Sequence, residues 1–170
     1  MSGATEIGRY LPIYLNDHLA GAMAGVELAK RLEAGNRDIE ALAPTLRRVS
    51  AEIEADRETL QGILARLDVS PSPVKPHAAW LLERLGRLKP NGHLRGYSPL
   101  SRVLELEGLS MGIAGKTELW RTLADLGLDR EAGVDFAALT ARAEGQHEAI
   151  AGCHQVAVAV LGSPTERALA

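Results

Sequence analysis

Apolar positions recur every three or four residues over long stretches of this chain, and alternating β-branched runs are absent. That periodicity lays one apolar stripe along each of several helices. The pattern predicts an all-α fold of four long helices and one shorter one. The first long helix runs from about Ile7 to Leu32, with its first regular turn near Pro12, and stops at Ala34-Gly35-Asn36. The second starts at Asp38, or at Pro44 with proline in the first turn, and continues to about Leu67. Its stripe of Leu46, Val49, Ile53, Leu60, Ile63 and Leu67 keeps heptad spacing. Pro71, Pro73 and Pro76 then favour an extended linker over residues 69–76. A short helix follows from His77 to Lys89, and then the turn-rich PNGHLRGY. Ser98-Pro99 caps and opens the third long helix, which runs to about Leu126, where Gly127 stops it. Asp135 caps the fourth, which ends near Leu161. Residues 1–162 read as one helical-bundle domain and residues 163–170 as a loose tail.

The connections add topology. Short loops join the first helix to the second and the third to the fourth, so each pair is antiparallel. The long connection between the second and third helices can travel the length of a bundle, giving two hairpins linked by one crossover. An up-down bundle with a decorated loop is the rival arrangement.

Composition narrows the function classes. The 170 residues are 46% hydrophobic and 24% charged, as in an ordinary globular domain. Net charge is -3 and aromatics are only 4%, which argues against a nucleic-acid partner. A single cysteine, Cys153, forbids an internal disulfide and suits a cytoplasmic location. No signal peptide is expected in MSGATEIGRYLP, and Val156 to Leu161 is too short an apolar run to span a bilayer.

Candidate chemistry lies where polar residues interrupt the stripes. Asp56 falls on the stripe of the second helix with no basic residue three or four positions away. A buried carboxylate there needs a proton, a partner or a metal. The third helix shows the row Leu100, Leu104, Glu107, Met111, Ala114, Glu118, with Arg121 placed to pair with Glu118. The fourth shows Phe136, Thr140, Ala143, His147, Ile150, His154, Ala157 and Leu161, with Glu144 one turn before His147. The first helix carries His18 and Glu27, the latter spaced to pair with Arg31. Given the crossover, His18, Glu52, Asp56, Glu118, Glu144 and His147 lie about fourteen to nineteen residues from one shared pole, at ~1.5 Å each. Glu27, Glu107 and His154 form a second, shallower layer. Two glycine patches, Gly21 with Gly25 and Gly108 with Gly112 and Gly115, predict close helix contact within the bundle or between subunits.

With these residues the chain resembles the ferritin-like superfamily. The resemblance covers the four long helices, the crossover, and EGQH (residues 144–147) as the Glu-x-x-His of the fourth helix. It implies an iron or manganese site, mononuclear or di-metal, in the bundle core. Glu144 and His147 would come from the fourth helix, Glu118 or Glu107 from the third, and Glu27 or His18 from the first. The second helix departs from the family pattern, because AEIEADRETL holds acids but no Glu-x-x-His. The expectation is therefore an unorthodox carboxylate and imidazole metal site. The alternative is a scaffold without metal, acting as a homodimer or a protein-interaction module, and a small-molecule pocket between helices is a third class. Lys75, Arg84, Arg87, Lys89, His93 and Arg95 make the connector basic, which would suit an acidic partner.

Overall fold

The computed structural model describes residues 3–72 and 97–161, with side chains from residue 8 onward. The expected short helix at 77–89, the basic connector at 75–95 and the tail at 163–170 lie outside the described residues. Within them every regular element is helical: α1 (Gly3–Gly35), α2 (Ala43–Arg66), α3 (Pro99–Asp125), α4 (Asp129–Ala132) and α5 (Phe136–Leu161).

The ends of the helices follow from local chemistry. α1 begins before Pro12 and runs through it, and Asn16 Nδ2 donates to the Pro12 carbonyl at 2.8 Å. The second start is settled at Pro44, in the first turn of α2, where the missing N–H is harmless. At its far end Asp68 takes a left-handed φ of 54°. Val69 N–H then reaches the Leu64 carbonyl at 2.8 Å and closes the helix as a Schellman cap. Ser98 Oγ accepts the Ser101 N–H at 3.0 Å and Pro99 opens α3. Gly127, at φ 69°, closes it in the same way, with Leu128 N–H on the Leu123 carbonyl at 3.2 Å. Asp135 Oδ1 caps α5 through the Ala138 N–H at 3.0 Å. The four-residue α4 was not expected from periodicity; Arg66 Nη1 holds its end through the Ala132 carbonyl at 2.8 Å.

Side-chain pairs set the helix directions. Lys30 meets Glu54 on α2, and Asn16 meets the Ser70 carbonyl beyond it, so α1 and α2 are antiparallel. Arg31 meets Glu105 and Asn36 meets Arg102, so α3 also runs against α1. Glu107 with His154 and Arg121 with Glu144 set α5 against α3. α2 and α3 therefore run the same way. The end of α2 and the start of α3 thus lie at different ends of α1, near Asn16 and Asn36 respectively.

The core is aliphatic with one aromatic pair. Leu15, Leu32, Leu46, Ile63, Leu106, Ile113 and Ile150 are buried around Trp120 and Phe136, whose rings stack with centroids 6.2 Å apart. Two stripes differ in phase from the sequence reading. On α5 the shared positions Phe136, Ala143, Ile150 and Ala157 are buried as expected. Between them Leu139, Gln146 and Cys153 turn inward, not Thr140, His147 and His154. Stripes with a three-residue or a four-residue step share those anchors, and the apolar Leu139 and Cys153 favour the three-residue step. On α3 the buried row is Val103, Leu106, Leu109, Ile113, Thr117 and Trp120, while Glu107, Met111, Ala114 and Glu118 are exposed. The inward row carries more apolar bulk than the expected one.

Candidate functional site

Asp56 is where the stripe placed it, inside, with 2% of its side chain exposed. Its Oδ2 accepts from Lys116 Nζ on α3 at 2.5 Å and from Gln146 Nε2 on α5 at 3.1 Å. Its Oδ1 takes the Arg142 guanidinium, also from α5. Gln146 Oε1 in turn accepts from Lys116 at 2.5 Å. One carboxylate thus ties three helices together, and every donor reaches it from a distant part of the chain. Burial lowers the pKa of Lys116; Asp56 opposes that shift, and Arg142 adds to it.

The other expected site residues are dispersed. Glu118 and Glu144 are both exposed and share one guanidinium, Arg121, each at 2.6 Å. Those hydrogen bonds raise the Arg121 pKa. Glu52 pairs with Arg48 one turn back at 2.8 Å. His147 is exposed and lies 3.0 Å from Ser110 Oγ. His18 is half-buried, edge-on to Tyr14 at 4.5 Å, and burial lowers its pKa against the opposing effect of Asp17. Glu27 is exposed, and its expected partner Arg31 bonds Glu105 instead at 2.7 Å. Of the shallower layer, Glu107 and His154 do meet, at 3.2 Å on the surface. Lys30–Glu54 and Asn16–Ser70 set His18 level with the far end of α2, well away from Glu52. Among the described residues no three His, Cys, Asp or Glu side chains are grouped to hold a metal ion. The donor set as arranged does not fit the iron or manganese centre that the resemblance implies.

A second polar cluster, unforeseen from spacing, joins the end of α1 to the start of α3. Glu105 accepts from Arg31 at 2.7 Å and from the Tyr97 hydroxyl at 2.8 Å. Arg102 Nε donates to Asn36 Oδ1 at 2.5 Å. Burial and the neighbouring Glu105 push the Tyr97 phenol far above its ordinary range. The Tyr97 ring lies so close to Gly35 that an added Cβ would come within 3.1 Å of it, and the ring would have to shift by a few tenths of an ångström to admit one.

A groove of about 760 Å³ opens between α1 and α3, floored by α2. Both glycine patches line it. Of the two contacts expected of them, the one within the bundle is not made at Gly21, Gly25, Gly112 or Gly115, which face open space. A Cβ built on Gly21, Gly25, Gly112 or Gly115 would meet nothing within 4 Å. Leu28, Ile53, Leu60, Leu104 and Trp120 make most of the lining apolar, and Asp56 and Lys116 reach it from the buried cluster. The Trp120 indole N–H is buried with no acceptor among the described residues. No family model, curated protein or solved structure matches this chain.

Proposed function

We propose that this chain is a ferritin-like four-helix bundle acting as a binding module, and that the groove between α1 and α3 takes a small molecule with a largely apolar surface. The parallel course of α2 and α3, with one long connection between them, supports the architecture. The open space over Gly21, Gly25, Gly112 and Gly115 carries the functional reading. Glycine costs a helix up to about 1 kcal/mol relative to alanine. Here four of them leave bare backbone facing a groove in which no described side chain demands their small size.

Size selects the class of guest. The volume of about 760 Å³ is within the range of small-molecule sites. Along α1 the groove extends from Tyr14 to Leu28, roughly 21 Å at ~1.5 Å per residue. A chain or a flat ring of small-molecule size fits inside.

The test is titration with an uncharged, environment-sensitive dye such as Nile red. Saturable binding near one equivalent is expected, abolished by Gly25→Leu or Gly112→Leu in protein whose helicity is unchanged. Binding that is absent, or indifferent to both variants, would overturn the reading. Sedimentation of the same samples tests the homodimer alternative: a dimer that dissociates on Gly112→Leu would mean that a second copy covers the groove.

A further inference from the structure

The charge at the base of the groove selects among apolar guests, and this step rests on the reading above. Asp56 supplies one negative charge, while Lys116 and Arg142 supply two positive ones, and Gln146 is neutral. The cluster therefore holds two cations against one buried carboxylate; Arg142 is 36% exposed and shares its charge with water, and Glu52 also acts on Lys116. An ammonium has three donors. Lys116 commits one to Asp56 and one to Gln146. The third has no acceptor among the described residues, and Lys116 lines the groove with 14% of its side chain exposed. We propose that the guest is an amphipathic carboxylate, its head on the third Lys116 donor and its apolar body along the groove.

The α1 wall gives such a head room. Arg31 pairs with Glu105 across the antiparallel α1 and α3. Ten residues back from Arg31 is Gly21, and ten residues on from Glu105 is Gly115, beside Lys116. The bare stretch of α1 thus lies level with the lysine along the groove that both line. The body can lie toward Tyr14, Leu60 and Trp120, or toward Leu28, Ile53 and Leu104. From the level of Gly21 either end is seven residues away, about 10 Å, so a medium-length chain or an aromatic acid fits better than a long lipid.

Among the described residues, the remaining charges that face the groove are Asp17, Glu107 and Arg57. Asp17 and Glu107 are exposed, and Glu107 is also engaged by His154. Water screens charges on the rim far more than a charge at the base. Arg57 is held by Gln61 and Glu58. A carboxylate beside Lys116 also favours the charged amine that burial opposes.

Decanoate, decan-1-ol and decylammonium, competed against Nile red at pH 7.5, test the proposal on the unaltered chain. Decanoate is expected to bind about tenfold more tightly than the alcohol, the value of one charge-assisted hydrogen bond. Lys116→Met, in protein whose helicity is unchanged, should erase that preference. Equal binding of acid and alcohol by the unaltered chain would refute the carboxylate head and leave the apolar groove standing. Preference for decylammonium would refute it too, since the rim acids would then dominate. Failure of all three to displace a dye that Gly112→Leu does block would sink the guest class but not the groove, whereas a dye that never binds sinks both.

Discussion

Removing the carboxylate of Asp56 is the most direct perturbation of what holds the helices together. In Asp56→Ala, Lys116 keeps only the neutral Gln146 as a partner, with 14% of its side chain exposed. Stripping one member from a buried ion pair costs about 3–5 kcal/mol. Arg142 is 36% exposed and can turn its charge into water, so its share is discounted. The expected loss is about 3 kcal/mol. With a urea m-value of about 2 kcal/mol/M, the midpoint should fall by roughly 1.5 M. Helical circular dichroism across a urea series at pH 7 reads this. Asp56→Leu with Lys116→Met should recover most of the loss, because apolar replacement of a whole buried pair is often neutral. A deficit under about 1 kcal/mol for the single variant, or a double variant no better than it, would refute the assignment. The pH dependence has a definite sign. The folded-state pKa of Lys116 is depressed, so its full penalty applies at pH values below that pKa. The penalty is relieved as pH rises toward the ordinary lysine value of 10.5. The slope of stability against pH in that alkaline window should steepen when Asp56 is removed.

Other expectations rest on separate parts of the molecule. The raised Tyr97 pKa means the folded state keeps a proton that the unfolded chain loses from about pH 10 upward. Stability should fall as pH rises past that point, Tyr97→Phe should flatten the fall, and three tyrosines ionising together in absorbance would contradict it. Cys153 is buried at 4% exposure, and burial raises its thiol pKa. Ellman's reagent should therefore label it at least about a hundredfold more slowly in the fold than in urea, and immediate labelling would show the α5 phase to be wrong. Alanine at Gly21, Gly25, Gly112 or Gly115 should each add up to about 1 kcal/mol, since nothing stands within 4 Å of the new methyl; a destabilised variant by urea melt would mean the walls are closer than described. Chelator-free protein loaded with iron(II) or manganese(II) should retain less than one equivalent, because Glu118 and Glu144 must first release Arg121. Stoichiometric metal lost in Glu144→Ala and His147→Ala would reverse that expectation.

The sequence displayed what local chemistry decides. Ser98-Pro99, Gly127 and Asp135 end or begin helices where expected, because caps act within one turn. Asp56 was legible as a stripe residue, but its partners were not. Lys116 and Arg142 lie 60 and 86 residues away, and spacing reveals only neighbours on the same helix. The direction of His147 turned on a choice between steps of three and four on α5, where the anchors are common to both. Glu118 was correctly paired with Arg121, yet the second acid on that guanidinium, Glu144, comes from another helix. Glycine spacing drew attention to the right surface. A bare helix face serves a touching neighbour and an open groove equally well, and only the positions of the helices distinguish them.

Asp56 belongs to the first hairpin, whereas Lys116, Arg142 and Gln146 all belong to the second. Neither half can neutralise its own interior charge, so each carries a lock that only the other opens. A polypeptide severed between residues 73 and 96 should reassemble from its two fragments, and reversing the charges on one fragment should make it reject the native mate while accepting a reciprocally altered one.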